Sequence, residues 1–324
     1  KGRIFNMAID YLRLSLTDRC NLNCIYCTPL EKSGFLAHDD LLRHEELARA
    51  AAAFVRAGVT KIRLTGGEPL LRKNIVGLVK MLKAIPGLQE LAMTTNGVLL
   101  RDLAGELRGA GLDRVNISLN TLNPATYKRV TGSGALEDAW DGLMAALKGG
   151  FSEVKLNVVV MKGFNDAEVR EFARLSKDFP LSVRFIEFFP ANKRSVNLAH
   201  ALFTTAETKK LIETAYGPLT ELPPGRGSGP ARVFKLTGAK GKIGFISGRS
   251  DYFCGSCTRV RMDCIGRVYP CLFSPPTHSL RDLMRGGATD AQLARHIKKA
   301  FIVKSHYRKD SPTAGHIEMS SIGG

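Results

Sequence analysis

The sequence predicts an α/β fold, a partial (β/α)6 barrel of the TIM type followed by a C-terminal extension. Three observations carry that prediction. Short apolar runs rich in β-branched residues alternate with helical stretches from Asp10 to about Phe188. Strands alternating with crossover helices build a parallel sheet of right-handed units. Polar motifs follow the strands at their C-terminal ends, where such barrels do their chemistry.

Taken in order, the strands are YLRLSL, KIRLT, ELAMTT, RVNISL, EVKLNVVV and SVRFIEF. Between them lie HEELARAAAAFVRAG, stopped by Gly58 as a C-cap, then NIVGLVKMLKAI, LAGELRGAG, ALEDAWDGLMAALKGG and DAEVREFARLSKDF. Six units are too few to close an eightfold barrel, hence the partial one. DRCNLNCIYC follows the first strand, TGGEP the second, TTNG the third and SLN the fourth, so the barrel gathers them at one mouth. Past Phe188 the alternation stops. TTAETKKLIETAYG reads as a helix, ELPPGRGSGP as a linker, and RVFKL and KIGFI as strands. The expected division is a barrel over 1–190 and a C-terminal region over 191–324 that covers the mouth.

The 324 residues carry a net charge of +17. Basic residues are scattered rather than gathered in an arm, so neither nucleic acid nor an anionic membrane is the expected partner. A polyphosphate substrate remains among the readings of that charge. No apolar run reaches bilayer length, and the first residues lack the apolar core of a secretion leader. Seven cysteines without such a leader point to a reducing compartment, bacterial cytosol or an organelle matrix.

Six of those cysteines form two sets of three: Cys20, Cys24, Cys27 and Cys254, Cys257, Cys271. Cys264 is left over and reads as a buried thiol. Zinc would need a fourth ligand, His38 or His44 for the first set and Cys264 or His278 for the second. A ferredoxin-type cluster would need a fourth cysteine. A [4Fe–4S] cube held by three thiolates leaves one iron open to a chelating ligand. The C-x3-C-x2-C spacing, with Tyr26 before its last cysteine, resembles the radical S-adenosylmethionine (SAM) superfamily, whose cofactor fills that open iron. GGEP, Gly66 to Pro69, resembles that superfamily's SAM-binding motif, with Glu68 supplying a carboxylate.

The resemblance sharpens over the whole chain. RLSLTDRCNLNCIYC, KIRLTGGEPLLR, TTNG, VNISLN, VKLNVVVMKGFND, RFIEF, CGSCTRVRMDCIGRVYPCLF and a terminal Gly-Gly, in this order, resemble the GTP 3′,8-cyclase family of molybdenum-cofactor biosynthesis. That resemblance implies two [4Fe–4S] clusters, the first on Cys20, Cys24 and Cys27 and the second on Cys254, Cys257 and Cys271. It implies SAM contacts at Tyr26, Gly67, Asn96, Ser118 and Phe189. GTP would meet Arg13, Arg63, Thr94, Lys155, Arg184, Arg259 and Arg261, with Val260 contributing backbone, while the tail Gly323-Gly324 reaches the site. No acid–base pair is implied, because the radical comes from SAM. The implied partners are a reducing electron donor and the enzyme that converts the cyclised product to cyclic pyranopterin monophosphate, with a homodimer as a further reading. Phe189 stands where the family commonly has Met, and Asn120 where Asp is frequent.

The residues agree with a triphosphate on physical grounds. Arg13, Arg63, Lys155 and Arg184 lie on or beside four different strands. Buried cations need an anion, and the arginine fork suits phosphate oxygens. Arg259 and Arg261 alternate, so on a strand they share a face. Two rivals stay open on the sequence: another radical SAM enzyme with an accessory cluster, such as a peptide maturase, and a zinc-containing nucleic-acid binder.

Overall fold

The structure, a computed structural model, describes residues 9–28, 34–190, 192–223, 229–251, 257–306 and 322. Six parallel strands form the expected partial barrel: β1 (Tyr11–Ser15), β2 (Lys61–Thr65), β3 (Glu90–Thr95), β4 (Arg114–Ser118), β5 (Glu153–Val160) and β6 (Leu181–Glu187). They lie side by side in chain order, as right-handed crossovers dictate. The crossover helices are His44–Arg56, Ile75–Lys83, Leu100–Gly109, Leu136–Lys148 and Val169–Asp178.

The C-terminal region adds to the same sheet. Its strands are β7 (Thr220–Glu221), β8 (Arg232–Lys235), β9 (Lys242–Ile246), β10 (Arg259–Met262), β11 (Arg267–Tyr269) and β12 (His278–Ser279). β9 pairs parallel to β6 and β10 parallel to β1, so the extension clasps both edges of the barrel. The sheet order, β12-β11-β10-β1-β2-β3-β4-β5-β6-β9-β8-β7, stays open at both ends. Glu221 to Pro230, read as a linker, instead joins the antiparallel pair β7 and β8; residues 224–228 lie outside the described set. Proline and glycine signal a hairpin connection as readily as a domain linker.

Register sorts the strand residues onto two faces. Leu12, Ile62, Leu91, Val115, Val154, Val183, Ile243 and Val260 share the face packed by helices, and all are buried in one core. Each such side chain contributes about 1.5–3 kcal/mol by leaving water. Their neighbours face the lumen and are mostly polar: Tyr11 and Arg13, Lys61 and Arg63, Arg114, Asn116 and Ser118, Lys155 and Asn157, Ser182 and Arg184, Arg259 and Arg261. Strict alternation thus yields a dry outer core and a polar channel.

Pro124–Thr131, between β4 and β5, went unread in the sequence, as did the later helices Lys193–Val196, Leu280–Arg285 and Asp290–His306; the first shows clear end signals. Its Asn123 cap accepts from Thr126 N at 2.9 Å, Pro124 opens it, and Gly132 at φ 70° ends it. The later helix Asp290–His306 docks on His44–Arg56, where Asp290 takes Arg49 at 2.9 Å and Arg56 at 2.5 Å. Among the described residues, no helix is long and apolar enough to cross a membrane.

Candidate functional site

The lumen collects the cations that the sequence singled out. Arg261, Arg13 and Arg63 stand in register on β10, β1 and β2, forming one row of guanidinium-bearing residues. All three are buried, as are Lys155 and Arg184. Burial, with Arg63 and Arg259 nearby, brings Arg13 down to about 10. Burial and Arg63 do the same to Arg184, also to about 10. Arg261 falls further, through burial and then Arg13 and Arg259. Lys155 drops to about 7 through burial and Arg184, despite the opposing pull of Glu153 at 2.5 Å. Cations pressed together this way are a built anion site.

Two carboxylates organise the channel's N-terminal end. Glu90 takes Lys61 at 2.6 Å and Arg114 at 3.2 Å, and Glu153 takes Arg114 at 3.2 Å as well as Lys155. Tyr11 lies above this chain and its hydroxyl accepts from Arg63 Nε. Burial alone would raise that phenol, but Arg63, Arg13 and Lys61 outweigh it and bring it to about 8. Thr94 faces the lumen in register with Asn116, and Ser118 ends β4 opposite Asn157. The Val260 side chain is fully buried on the helix face, so only its backbone borders the channel.

The first cysteine set sits at the strands' C-terminal mouth on a loop pinned from many sides. Cys27 N and Thr28 N donate to Cys24 O at 3.1 and 3.0 Å, closing a tight turn. Gly67 N donates to Thr17 O at 2.7 Å and Glu68 N to Arg19 O at 2.8 Å. Asn96 Nδ2 reaches Asn21 Oδ1 at 2.7 Å, and Asn120 Nδ2 reaches the Tyr26 hydroxyl at 2.7 Å. Asn192 Nδ2 donates to Cys27 O at 3.0 Å. From the unforeseen helix Pro124–Thr131, Thr131 O and Val130 O accept from Asn23 N and Ile25 N at 2.7 and 3.0 Å.

GGEP works differently from its expected part. A Cβ on Gly67 would come within 2.1 Å of Arg19 O, so this glycine exists to let two backbones touch. The Glu68 carboxylate turns inward: it accepts from Thr95 Oγ1 at 2.7 Å, Asn96 N at 2.8 Å and Leu70 N at 3.1 Å. Burial lifts it to about 7 against those donors. Its bonds fix the second and third strand ends to each other rather than presenting a charge at the mouth.

The second set lies where β10 begins. Cys257 Sγ accepts from Arg259 Nε at 3.4 Å and Lys304 Nζ at 3.6 Å. Burial would raise this thiol, but Arg259 and Lys304 outweigh it and bring it to about 6. Cys271 is half-buried, its N–H donating to Ser274 Oγ at 3.1 Å. Cys254 lies outside the described residues, as do Gly323 and Gly324 of the tail. Ile322, next to them, is buried against Tyr269, and its carbonyl accepts from Arg261 at 3.3 Å. Phe189 joins that cluster edge-on to Phe273, ring centroids 5.5 Å apart.

These donor sets fit iron–sulfur clusters. A cube takes each thiolate on its own iron, which suits three cysteines spaced along one loop. Burial pushes the Cys24 thiol up to about 12, and ligation to iron removes that cost. Cys264 is fully buried just past β10, its backbone carbonyl taking Leu42 N at 2.9 Å, which is the buried thiol expected. His278 meets His296 edge-on, ring centroids 5.6 Å apart.

Sequence reasoning missed Glu187. It ends β6 and accepts from Thr205 N at 2.8 Å, Arg249 N and Ser250 N at 3.0 Å, and Ser250 Oγ at 2.5 Å. The carboxylate thereby ties the barrel to the segment leading toward the second cysteine set. The glutamate of RFIEF was the available signal, an acid at the end of a largely apolar run.

Comparison with known proteins agrees with this geometry. The family model described as Radical SAM superfamily matches residues 14–176, and that of Molybdenum Cofactor Synthesis C matches 181–309. A GTP 3′,8-cyclase of Moorella thermoacetica is 42% identical over 328 residues, covering 99% of both chains. One from Heliobacterium modesticaldum is 45% identical over 323 residues, again covering 99% of each. The fold is similar to that of Streptococcus suis SuiB bound to S-adenosylmethionine, at TM-score 0.61 and 12% identity, over 86% of this chain and 65% of that one. With a radical SAM barrel, two cysteine sets and full-length relatives at this identity, the chain belongs to the GTP 3′,8-cyclase family of radical SAM enzymes.

Proposed function

We infer that the chain converts GTP to (8S)-3′,8-cyclo-7,8-dihydroguanosine 5′-triphosphate, the first step of molybdenum-cofactor biosynthesis, using two [4Fe–4S] clusters and SAM. The observation that carries this reading is the in-register row Arg261, Arg13, Arg63, buried in a lumen whose mouth holds Cys20, Cys24 and Cys27. A triphosphate supplies the counter-charge that row demands. The two rivals leave features idle: nothing in a peptide maturase or a zinc-dependent nucleic-acid binder explains a dry-walled cationic channel beneath a pinned cysteine loop.

Residue by residue, Cys20, Cys24 and Cys27 hold the SAM cluster, and Tyr26, Gly67, Asn96, Ser118 and Phe189 shape the SAM pocket. Cys254, Cys257 and Cys271 hold the second cluster. Arg13, Arg63, Lys155, Arg184, Arg259 and Arg261 grip the triphosphate, with Thr94 and the Val260 backbone beside it. Gly323 and Gly324 belong to the site in this proposal, which the Arg261 bond to the neighbouring Ile322 carbonyl supports. The clusters and SAM that these residues would hold would supply the 5′-deoxyadenosyl radical for hydrogen abstraction at the ribose 3′ position. Carbon 3′ then bonds to guanine C8, and one electron and one proton complete the product. The chain's own work is to fix the nucleotide and exclude water and other hydrogen donors. The barrel, 1–190, carries the radical chemistry, and 191–324 closes it. A reducing electron donor, a downstream enzyme that makes cyclic pyranopterin monophosphate, a homodimer and a cytosolic site belong to the same proposal.

The test uses reduced, anaerobically reconstituted enzyme with SAM and GTP deuterated at C3′. Deuterium is expected in the released 5′-deoxyadenosine. SAM cleavage without that transfer would refute the cyclisation while leaving the radical SAM chemistry intact.

A further inference from the structure

Along β4 the lumen-facing residues run Arg114, Asn116, Ser118, and along β5 they run Glu153, Lys155, Asn157. On these two strands the wall therefore changes from charged to neutral toward the mouth that holds the first cysteine loop, with Arg184 of β6 in register with Asn157. Asn116 is 5% exposed, and its Oδ1 is buried with no hydrogen-bond partner. Asn157 Oδ1 is the same. Register places Asn116 between Thr94 on β3 and Lys155 on β5, both lumen-facing. A buried amide oxygen left without a donor costs free energy comparable to a lost hydrogen bond, so such a group in a channel wall is kept for something that enters.

We propose that Asn116 is a substrate-positioning residue whose side-chain amide accepts a hydrogen bond from a ribose hydroxyl of the bound nucleotide. This rests on the reading of the site as a GTP cyclase. With the phosphates on the cations and the radical source at the mouth, the sugar lies between them, level with the neutral stretch of β4 and β5. A neutral acceptor suits that place. A carboxylate there would repel the triphosphate, and a further cation would compete for it. Holding the sugar by its hydroxyl also limits its rotation, which decides whether carbon 3′ faces the mouth.

The experiment measures dissociation constants on reconstituted holoenzyme for GTP, 2′-deoxy-GTP, 3′-deoxy-GTP and inosine triphosphate, with wild type and Asn116→Ala. The wild type is expected to bind at least one deoxy analogue about tenfold more weakly than GTP, the scale of one hydrogen bond. Asn116→Ala is expected to bind GTP about tenfold more weakly and that analogue no worse than GTP. Iron content and circular dichroism of the variant control for folding. Wild type binding both deoxy analogues as tightly as GTP overturns the inference whatever the variant does. So does a variant that keeps the discrimination, or one that loses discrimination against inosine triphosphate instead, which would put the amide on the base. A wild-type enzyme that binds inosine triphosphate and its deoxy relatives but not GTP overturns the cyclase reading as well.

Discussion

The loop bearing Cys20, Cys24 and Cys27 and the lumen beneath it are held in opposite ways. Asn21, Tyr26 and Cys27 O are tied by the neutral amides of Asn96, Asn120 and Asn192, and Thr17 O and Arg19 O at the loop's start by the backbone N–H groups of Gly67 and Glu68. Arg13, Arg63, Lys155 and Arg184 instead crowd together as buried cations around two carboxylates. Neutral bonds are indifferent to salt and pH, and they fix distances. Crowded cations store an electrostatic cost that only an anion relieves. One region is built to be rigid before anything binds; the other is completed by what binds.

The sharpest way to break this contrast is Gly67→Ala. The new Cβ meets backbone at 2.1 Å and cannot turn aside, so the cysteine loop must shift by more than an ångström. SAM cleavage is expected to fall by about 100-fold or more, the scale attached to such a displacement. Iron bound by the first cysteine set should fall with it, while iron on the second should not. Uncoupled SAM cleavage at the wild-type rate would show the loop is not rigid at all.

Arg13→Ala tests the other region. One charged hydrogen bond contributes about 1.5–3 kcal/mol, so GTP should bind at least about tenfold more weakly. The loss should shrink at high salt, since part of it is screened attraction. SAM cleavage without GTP should keep its wild-type rate, because Arg13 stands on β1 in the row with Arg63 and Arg261, while the cysteine loop is held by Asn96, Asn120 and Asn192. Equal losses in both would erase the distinction drawn between the regions.

What could be read from the sequence follows the same line. Motifs that carry chemistry in their spacing were legible: the cysteines, the alternating Arg259 and Arg261, and six strands whose periodicity survives burial on one face. Pairing across long separations was not, so β9 against β6 and β10 against β1 came only from the structure. The short helix Pro124–Thr131 had its signals in Asn123-Pro124 and Gly132, but its single turn or two lacks a periodic face to announce it. Glu68 shows a further limit. Its place in GGEP was plain, yet its orientation toward Thr95 and Asn96 depends on a fold that residue type cannot specify.

The smallest expected effect comes from Glu153→Gln. Glu153 opposes the burial, Arg184 and Arg63, which together bring Lys155 to about 7. Without the carboxylate, the ammonium loses its nearest counter-charge and its pKa falls further. Below the variant's own, lower pKa Lys155 is protonated in either enzyme, so the two GTP affinities should converge as pH falls. As pH rises through 7 the free variant holds a neutral lysine, and binding GTP must first take up a proton, at a cost of 1.36 kcal/mol per unit. Affinity in the variant should therefore fall about three- to tenfold below wild type at pH 8. Lys155→Arg in the same background should abolish that pH dependence, because a guanidinium keeps its proton. A loss that is equal at pH 6 and pH 8 would mean Glu153 shapes the wall and does not tune the charge, which would move this corner of the lumen into the company of the neutral, rigid loop above it.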